Sequence, residues 1–175
     1  LALILHEARN FTNADAGSLY IREGNRLIFM VAQNETLSKR SKESFGSAPY
    51  TGDTLVISRE SLAGYVAATG KILNIEDAYN LPEDEEYQFN KEFDEENNYR
   101  TKSMLLIPLK DPKGNIVGVL QLINFFNARR EIISFNQEHE PLILSLASQA
   151  AVSIKNARLT EELKKTTASL IKFDV

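Results

Sequence analysis

The sequence contains no cysteine among its 175 residues. Without a thiol there is no disulfide framework, no thiolate nucleophile and no cysteine ligand for a metal ion. The absence excludes enzymes whose chemistry runs through a cysteine. It also agrees with a reducing compartment, and we predict a cytoplasmic location.

Long apolar runs and basic clusters are absent as well. No stretch approaches the roughly 18 uninterrupted apolar residues of a membrane span, and the N-terminus lacks the pattern of a signal peptide. The formal net charge is −4 at pH 7, with no stripe of Lys and Arg that would indicate a nucleic-acid surface. We therefore predict that the chain binds neither membranes nor nucleic acids. Because it starts at Leu1 within a helix-like segment, we expect a piece of a longer protein.

Histidine is scarce, with two residues in the whole chain. His6 and His139 fall in segments predicted to be helices, and neither stands at a spacing that suits a nucleophile, a base or a metal site. A glycine-rich phosphate loop of the Walker type is also missing. We predict that the chain is not an enzyme.

The clearest structural signal is a pair of apolar, β-branched segments within residues 97–109 and 114–124. Between them, Pro112 fixes φ and Gly114 can adopt a positive φ, which is the chemistry of a reversing turn. The pattern predicts an antiparallel hairpin. A second hairpin is predicted by residues 18–21 and 26–32.

Two helices and two short strands are predicted around these hairpins. Apolar residues at i, i+3 and i+4 over residues 1–13 predict an amphipathic helix that lies on a sheet. A short helix is predicted over residues 61–69 and ends at Gly70, where a left-handed residue is favoured. The segments 54–57 and 72–75 predict short strands.

A long helix is predicted near the C-terminus. Ser134 and Gln137 have the spacing of a capping box, whose side chains satisfy free backbone donors at a helix start. An apolar stripe follows and is predicted to face the sheet: Leu142, Ile143, Leu146, Ala147, Ala150, Ile154 and Ala157.

Two segments lack a sustained period. Residues 33–53 are mostly polar, charged, glycine or proline, and predict a long loop. Residues 83–96 are dense in carboxylates around Tyr87, Phe89 and Phe93, and we predict a solvated, partly helical connection. The alternative is a loop that binds Ca²⁺ or Mg²⁺, since both ions prefer carboxylate oxygens.

The end of the chain carries a second apolar pattern, in which Leu159, Leu163, Thr166, Leu170 and Phe173 are spaced 4, 3, 4 and 3 residues apart. This spacing predicts a short coiled-coil seam. We assign residues 1–157 to a globular domain and 158–175 to a helical extension. A parallel homodimer through the terminal helices is predicted, and the alternative is a frayed linker.

The order of these elements resembles the GAF family of sensory ligand-binding domains. The matching motifs are residues 14–18, 63–66 with 69–70, 74–75 with 77–79, and 99–101 leading to 107–108. The resemblance implies a GAF/PAS-like α+β fold, in which the first and last helices pack on one face of a six-stranded antiparallel sheet. A ligand cleft with short helices lies on the other face.

The resemblance also implies a regulatory module of a signal-transduction protein. Such a module senses a small molecule and relays occupancy of its cleft through the terminal helices to an output domain in the same chain. The alternative function is a dimerisation scaffold that binds no ligand. By position, the resemblance places these residues at the cleft: Ser18, Leu62, Ala63, Asn74, Asp77, Tyr79, Phe93, Asp94, Asn97, Thr101 and Gln121.

The ligand implied by this site is a nucleotide or another small molecule, because apolar walls with a few hydrogen-bonding groups are typical of small-molecule pockets. Its identity stays open. Family members that carry a covalent bilin attach it through cysteine, which is absent here. We predict no covalent bilin and no haem.

Family members that bind cyclic nucleotides, in phosphodiesterases and adenylyl cyclases, carry an Asn, Lys, Phe, Asp, Glu motif. Asn124 and Phe135 match it, but Phe125 stands at the Lys position and Asn136 with Gln137 replaces the acidic pair. The Lys–Asp ion pair of those members cannot form. We expect cyclic AMP and cyclic GMP to bind weakly or not at all.

Overall fold

The computed structural model describes residues 1–41 and 52–173. In order, its elements are α1 (Ala2–Thr12), β1 (Ala14–Glu23), β2 (Arg26–Asn34), α2 (Glu35–Ser41), β3 (Thr54–Val56), α3 (Leu62–Thr69), β4 (Leu73–Ile75), α4 (Glu92–Asn97), β5 (Met104–Lys110), β6 (Ile116–Phe126), β7 (Ile132–Ile133) and α5 (Glu140–Phe173). A 3₁₀-helix, Gln137–His139, precedes α5. Within these ranges, no helix combines the length and the hydropathy needed to cross a bilayer.

The strands form one antiparallel sheet in the order β3-β2-β1-β6-β5-β4, and β7 pairs with the end of β6. The α+β fold with a six-stranded antiparallel sheet is confirmed, with β7 as a two-residue addition. Strands β1 and β6 approach closely at Gly118, where a Cβ atom would lie 2.2 Å from the Tyr20 carbonyl oxygen. Glycine is therefore required at this crossing.

Strand β5 lies inside the sheet, yet it contains Pro108. Prolines are rare in central strands because they lack an amide hydrogen for the ladder. Strand β4 pairs with β5 only from Met104 to Leu106, so Pro108 lies beyond its end. On the β4 side of β5, no described strand needs a backbone N–H group from position 108.

Helices α1 and α5 cover one face of the sheet. Leu5 and Ala8 of α1 and Ile143 of α5 are buried against the sheet. The stripe predicted for α5 is correct in its middle, but Leu142 and Ala157 are exposed. Leu142 is one residue from Ile143, which turns it about 100° away from the sheet. After Ile154 no described side chain of α5 is buried, because the helix has passed the edge of the sheet.

Helix α3 packs on the opposite face, where Val66 and Ala67 are buried with Leu106 and other residues of the sheet. At its start, the Ser61 Oγ accepts a hydrogen bond from the Gly64 N–H at 3.1 Å. At its end, Gly70 adopts a φ of 69°, as the sequence predicts. Both ends of α3 are therefore capped by residues that flank the helix in the sequence.

The prediction of a loop over residues 33–53 is wrong for residues 33–34, which end β2, and for residues 35–41, which form α2. The helix begins after Asn34, whose Oδ1 accepts the Leu37 N–H at 2.9 Å. Leu37 is buried, so the helix is held by an apolar contact as well as by its cap. Residues 42–51 of the predicted loop lie outside the described residues.

The predicted capping box at Ser134 does not form, because the helical segment begins two residues later than a cap at Ser134 would require. Asn136 is the cap instead, and its Oδ1 accepts the Glu138 N–H at 3.0 Å to start the 3₁₀-helix. Pro141 then lies in the first turn of α5, where its missing N–H disrupts no intrahelical bond. Helix α5 runs through the predicted domain boundary at residue 157 without a break.

Candidate functional site

A cleft of about 610 Å³ lies on the face of the sheet opposite α1 and α5. Strands β1 and β6 form its floor with Ser18, Tyr20, Gln121 and Ile123, while α3, α4 and residues 88–90 contribute walls. The volume falls within the roughly 300–1,000 Å³ of small-molecule sites. The cleft is therefore large enough to hold a ligand the size of a nucleoside.

The structure brings seven of the eleven predicted site residues to this cleft. They are Ser18, Leu62, Ala63, Phe93, Asp94, Thr101 and Gln121. They come from β1, the start of α3, α4, the segment before β5, and β6. Most of the residues that the resemblance places at a ligand cleft therefore line the cleft found in the structure.

The other four predicted residues do not line the cleft. Asn74 lies between Leu73 and Ile75, which face the cleft side, so alternation along β4 turns it to the other face. There its Nδ2 donates to the Phe135 carbonyl oxygen at 3.0 Å.

Asp77, Tyr79 and Asn97 have local structural contacts. The Asp77 Oδ1 accepts the Tyr79 N–H at 3.0 Å and forms a turn. The Asn97 Nδ2 donates to the Phe93 carbonyl oxygen at 2.9 Å, within α4. Tyr79 lies behind the lining and contacts Asp94 through its hydroxyl.

Aromatic side chains contribute more to the cleft than the sequence analysis expects. Besides Phe93, the rings of Tyr20, Phe29 and Phe89 line it. Tyr20 and Phe29 meet edge to face with centroids 5.1 Å apart. The alternation of side chains along a strand was the available signal, because Tyr20 is two residues from Ser18 and shares its face.

Ser18 is the most unusual polar residue of the floor. It is 4% exposed, and its Oγ has no hydrogen-bond partner among the described residues. Burial raises the pKa of the adjacent Tyr20, and the nearby Ser18 hydroxyl lowers it to a smaller extent, although the two groups do not meet in hydrogen-bonding geometry. An unpaired buried hydroxyl costs about 1–3 kcal/mol, so Ser18 favours a polar partner in the cleft.

The Asp94 carboxylate is a brace for one wall. It is 2% exposed and accepts hydrogen bonds from the Thr101 N–H at 2.7 Å, the Thr101 hydroxyl at 2.8 Å and the Tyr79 hydroxyl at 2.9 Å. Burial, and then the hydrogen bond to Asp94, raises the pKa of Tyr79. Because protein donors already satisfy Asp94, it holds α4 against the segment before β5.

The positions that resemble the cyclic-nucleotide motif form an aromatic cluster. Phe125 stacks on Phe135 with centroids 5.7 Å apart and meets the edge of His139 at 5.3 Å. Asn124 adopts a φ of 59°, and its Oδ1 accepts the Lys102 N–H at 2.7 Å. Aromatic packing thus occupies the position at which the cyclic-nucleotide motif would place the lysine of its ion pair.

The charged side chains of the described lining are all acidic. Its carboxylates are Asp53, Glu92, Asp94 and Glu96. Among the described residues that line it, none is lysine, arginine or histidine. Within residues 1–41 and 52–173, no three His, Cys, Asp or Glu side chains are grouped to hold a metal ion, so the alternative of a metal loop over residues 83–96 gains no support.

A sheet flanked by terminal helices on one face and by a ligand-sized cleft on the other defines a small α+β domain with the architecture that the resemblance implies. The family model of the GAF domain matches residues 1–154, and the chain belongs to the GAF family.

Curated relatives include cyclic-nucleotide phosphodiesterases. The chain is 30% identical over 171 residues to the dual 3',5'-cyclic-AMP and -GMP phosphodiesterase 11 of Drosophila melanogaster, an alignment that covers 91% of the chain and 11% of that protein. It is 28% identical over 152 residues to a cGMP-specific 3',5'-cyclic phosphodiesterase of Drosophila ananassae, covering 86% of the chain and 12% of that protein. The chain thus spans a small part of the length of either relative.

Solved structures share the fold. The GAF domain of a phosphoenolpyruvate-protein phosphotransferase from Acinetobacter has a TM-score of 0.66 at 18% identity, covering 93% of this chain and 84% of that chain. A GAF domain/HD domain protein from Geobacter sulfurreducens has a TM-score of 0.63 at 12% identity, covering 89% and 90%. At these identities the likeness concerns the fold alone.

Proposed function

We propose that this GAF domain is a regulatory module that binds a small molecule in the cleft and catalyses no reaction itself. The observation that carries the proposal is the cleft of about 610 Å³ with the unpaired, buried Ser18 hydroxyl in its floor. A scaffold that binds no ligand would be expected to fill this space with its own side chains. Such a scaffold is the alternative.

The proposed module relays cleft occupancy to α5. Leu62 and Ala63, at the start of α3, line the cleft. At the end of α3, the Ala67 carbonyl oxygen accepts a hydrogen bond from the Arg22 side chain at 3.5 Å. The Arg22 carbonyl oxygen in turn accepts one from the Arg158 guanidinium of α5. A shift of α3 on ligand binding would therefore reach the helix that leads to an output domain in the same chain.

The proposed absence of catalysis is supported by the chemistry of the lining. The carboxylate of Asp94 is saturated by protein donors, and the described lining has no histidine or lysine to serve as a base. The activity in the names of the phosphodiesterase relatives belongs to proteins of which this chain spans 11–12%.

We further propose that the module works as a parallel homodimer through α5. Beyond the sheet, Leu159, Leu163 and Leu170 are 48%, 67% and 64% exposed. Each large apolar side chain left in water forgoes roughly 1.5–3 kcal/mol of burial. Pairing with the same helix of a second copy would bury all three in a self-complementary interface. The side chain of Phe173 lies outside the described part of the chain.

A survey of co-purifying molecules tests the proposed sensor. The longer parent protein is purified from its native host, denatured, and the released small molecules are identified by mass spectrometry. We expect one compound in stoichiometric amount, which is lost in Ser18→Leu, where a larger side chain enters the cleft. The exposed Ser134→Leu is the matched control and retains the compound. A native protein with no bound compound, or a Ser18→Leu variant that keeps it, would favour the scaffold.

A further inference from the structure

We infer that the cleft takes a neutral or positively charged aromatic ligand and rejects anions, including molecules that bear a phosphate. The inference rests on the proposed ligand-binding function and adds the chemical class of the ligand. It follows from the charges, rings and free hydroxyl that the fold brings together around the cleft.

The charge of the lining disfavours an anion. Asp53, Glu92 and Glu96 are exposed, and Asp94 is buried in the wall. A phosphate or carboxylate that entered would lose water, meet four carboxylates and find no basic side chain among the described lining residues. A cation would instead be attracted by the same groups.

Two basic side chains on segments next to the lining, Arg100 and Lys91, contact Tyr79. The Arg100 guanidinium lies 3.4 Å from the centroid of the Tyr79 ring and 3.7 Å from the Asp77 carboxylate. The Lys91 Nζ lies 4.8 Å from the same ring centroid. Tyr79 is not a lining residue, so these contacts hold both cations behind the wall of the cleft, where neither charged group contacts a ligand inside it.

Among the described parts of the cleft, the start of α3 favours an anion. Free N–H groups at a helix start carry about half a positive charge in total. The Ser61 hydroxyl already accepts the Gly64 N–H, which removes one of these donors. A partial charge of this size is outweighed by the carboxylates Asp53, Glu92, Asp94 and Glu96.

The rings of the cleft favour an aromatic ligand. Tyr20, Phe29, Phe89 and Phe93 line the cleft. Aromatic side chains stack with aromatic ligands, and their rings attract cations. The Ser18 hydroxyl supplies a hydrogen bond to a polar group at the floor. A planar amine or an uncharged nucleoside-like molecule fits this combination.

Three naphthalene probes that differ in charge test the inference. The domain is titrated with 2-naphthylmethylammonium, 2-naphthylmethanol and 2-naphthoate, and binding is followed by amide chemical shifts in NMR. We expect the cation and the alcohol to shift residues of the cleft, and the carboxylate to bind at least about tenfold more weakly. Added salt should reduce the difference, because it screens the carboxylates of the rim.

Charge variants test whether the carboxylates of the cleft cause the difference in affinity between the probes. In the triple variant Asp53→Asn, Glu92→Gln and Glu96→Gln, naphthoate should gain affinity and the cation should lose it, so that the difference falls to less than about threefold. The control Glu7→Gln, Glu83→Gln and Asp84→Asn removes the same charge from exposed positions outside the lining and should leave all three affinities unchanged.

Two outcomes would overturn the inference. Naphthoate that binds the cleft as tightly as the alcohol would show that the carboxylates do not select the ligand. Probes that leave every cleft residue unshifted would show that the cleft does not take aromatic molecules. In both cases a stoichiometric compound released from the native protein would still support the sensor, so the two failures can be told apart.

Discussion

Tyr99 and Asp15 are joined by a hydrogen bond of 2.7 Å from the hydroxyl to the carboxylate, although they lie 84 positions apart in the chain. Both side chains are buried. The Asn124 Nδ2 donates to the Tyr99 hydroxyl at 3.0 Å, and the Thr36 hydroxyl donates to the second Asp15 oxygen at 2.8 Å. This network connects β1, α2, β6 and the segment that leads into β5.

Replacing Tyr99 by phenylalanine tests the strength of this network. Tyr99→Phe leaves Asp15 buried with one fewer donor, and we expect the free energy of unfolding at neutral pH to fall by about 1–3 kcal/mol. Chemical denaturation followed by circular dichroism measures the change. The control Tyr65→Phe removes a hydroxyl with no hydrogen bond to another described residue, and should change stability by less than about 0.5 kcal/mol. Equal effects of the two variants would contradict the assignment.

Alkaline pH should destabilise the domain. Burial and the Asp15 charge raise the pKa of Tyr99, and burial raises the pKa of Tyr87 to about 12. In the unfolded chain these phenols ionise near pH 10. The unfolded state therefore releases protons first, and each tyrosine contributes stability below pH 10 that is lost as the pH rises toward its folded pKa.

The Tyr99→Phe variant isolates one part of this dependence. Above pH 10 the wild type should lose about 1.4 kcal/mol per pH unit more than the variant, since one ionising phenol has been removed. Denaturation curves collected from neutral pH to about pH 12 measure both slopes. If the unfolding free energies of the wild type and the variant depended equally on pH, the pKa of Tyr99 would be the same in the folded and the unfolded state.

Asp94→Asn should weaken the wall of the cleft. In this variant the side-chain NH₂ group would face a hydrogen-bond donor at a position where a carboxylate oxygen now accepts a hydrogen bond. We therefore expect the unfolding free energy to fall by about 1–3 kcal/mol. The pKa of Tyr79 should also fall, because its hydrogen bond to Asp94 raises it. Glu95→Gln, at the exposed neighbouring position of α4, is the matched control. It should leave the unfolding free energy unchanged and lower the pKa of Tyr79 less than Asp94→Asn does, because the Glu95 charge is the smallest of the effects that raise this pKa.

Acidic substitutions on α5 test the proposed dimer. Sedimentation should show a wild-type dimer that Leu163→Glu with Leu170→Glu dissociates, because charges would enter the apolar seam. Ala168→Glu, about 140° around the helix from Leu163, should leave it intact. A wild type that stays monomeric at high concentration, or a double mutant that dimerises as tightly, would rule out this interface.

Cyclic nucleotides should bind weakly. Phe125 packs against Phe135, so no ion pair braces the site, and the described lining has no basic residue for a phosphate. Calorimetric titration of the domain with cyclic AMP and cyclic GMP measures both affinities. Submicromolar binding of either one would show that this argument from the motif and the charge is mistaken.

Elements with local causes could be predicted from the sequence. The turn at Pro112 and Gly114 and the ends of α3 at Ser61 and Gly70 depend on residues a few positions apart, so turn and cap chemistry was sufficient. Helix α2 could not be found in this way. Its first turn is capped by Asn34, but the apolar contact of Leu37 that stabilises the helix forms only when the core has folded.

For the candidate site, too, some features follow from the sequence and others only from the tertiary structure. The sequence by itself determined the family, through the resemblance of its motifs, most of the order of strands and helices, and the absence of thiol chemistry, because motifs, hydrophobic periods and composition are properties of the chain before it folds. Only the tertiary structure decided which side chains meet, since strand register turns Ser18 into the cleft and Asn74 away from it. The acidic charge of the cleft likewise arises from segments that are distant in the chain and adjacent only after folding.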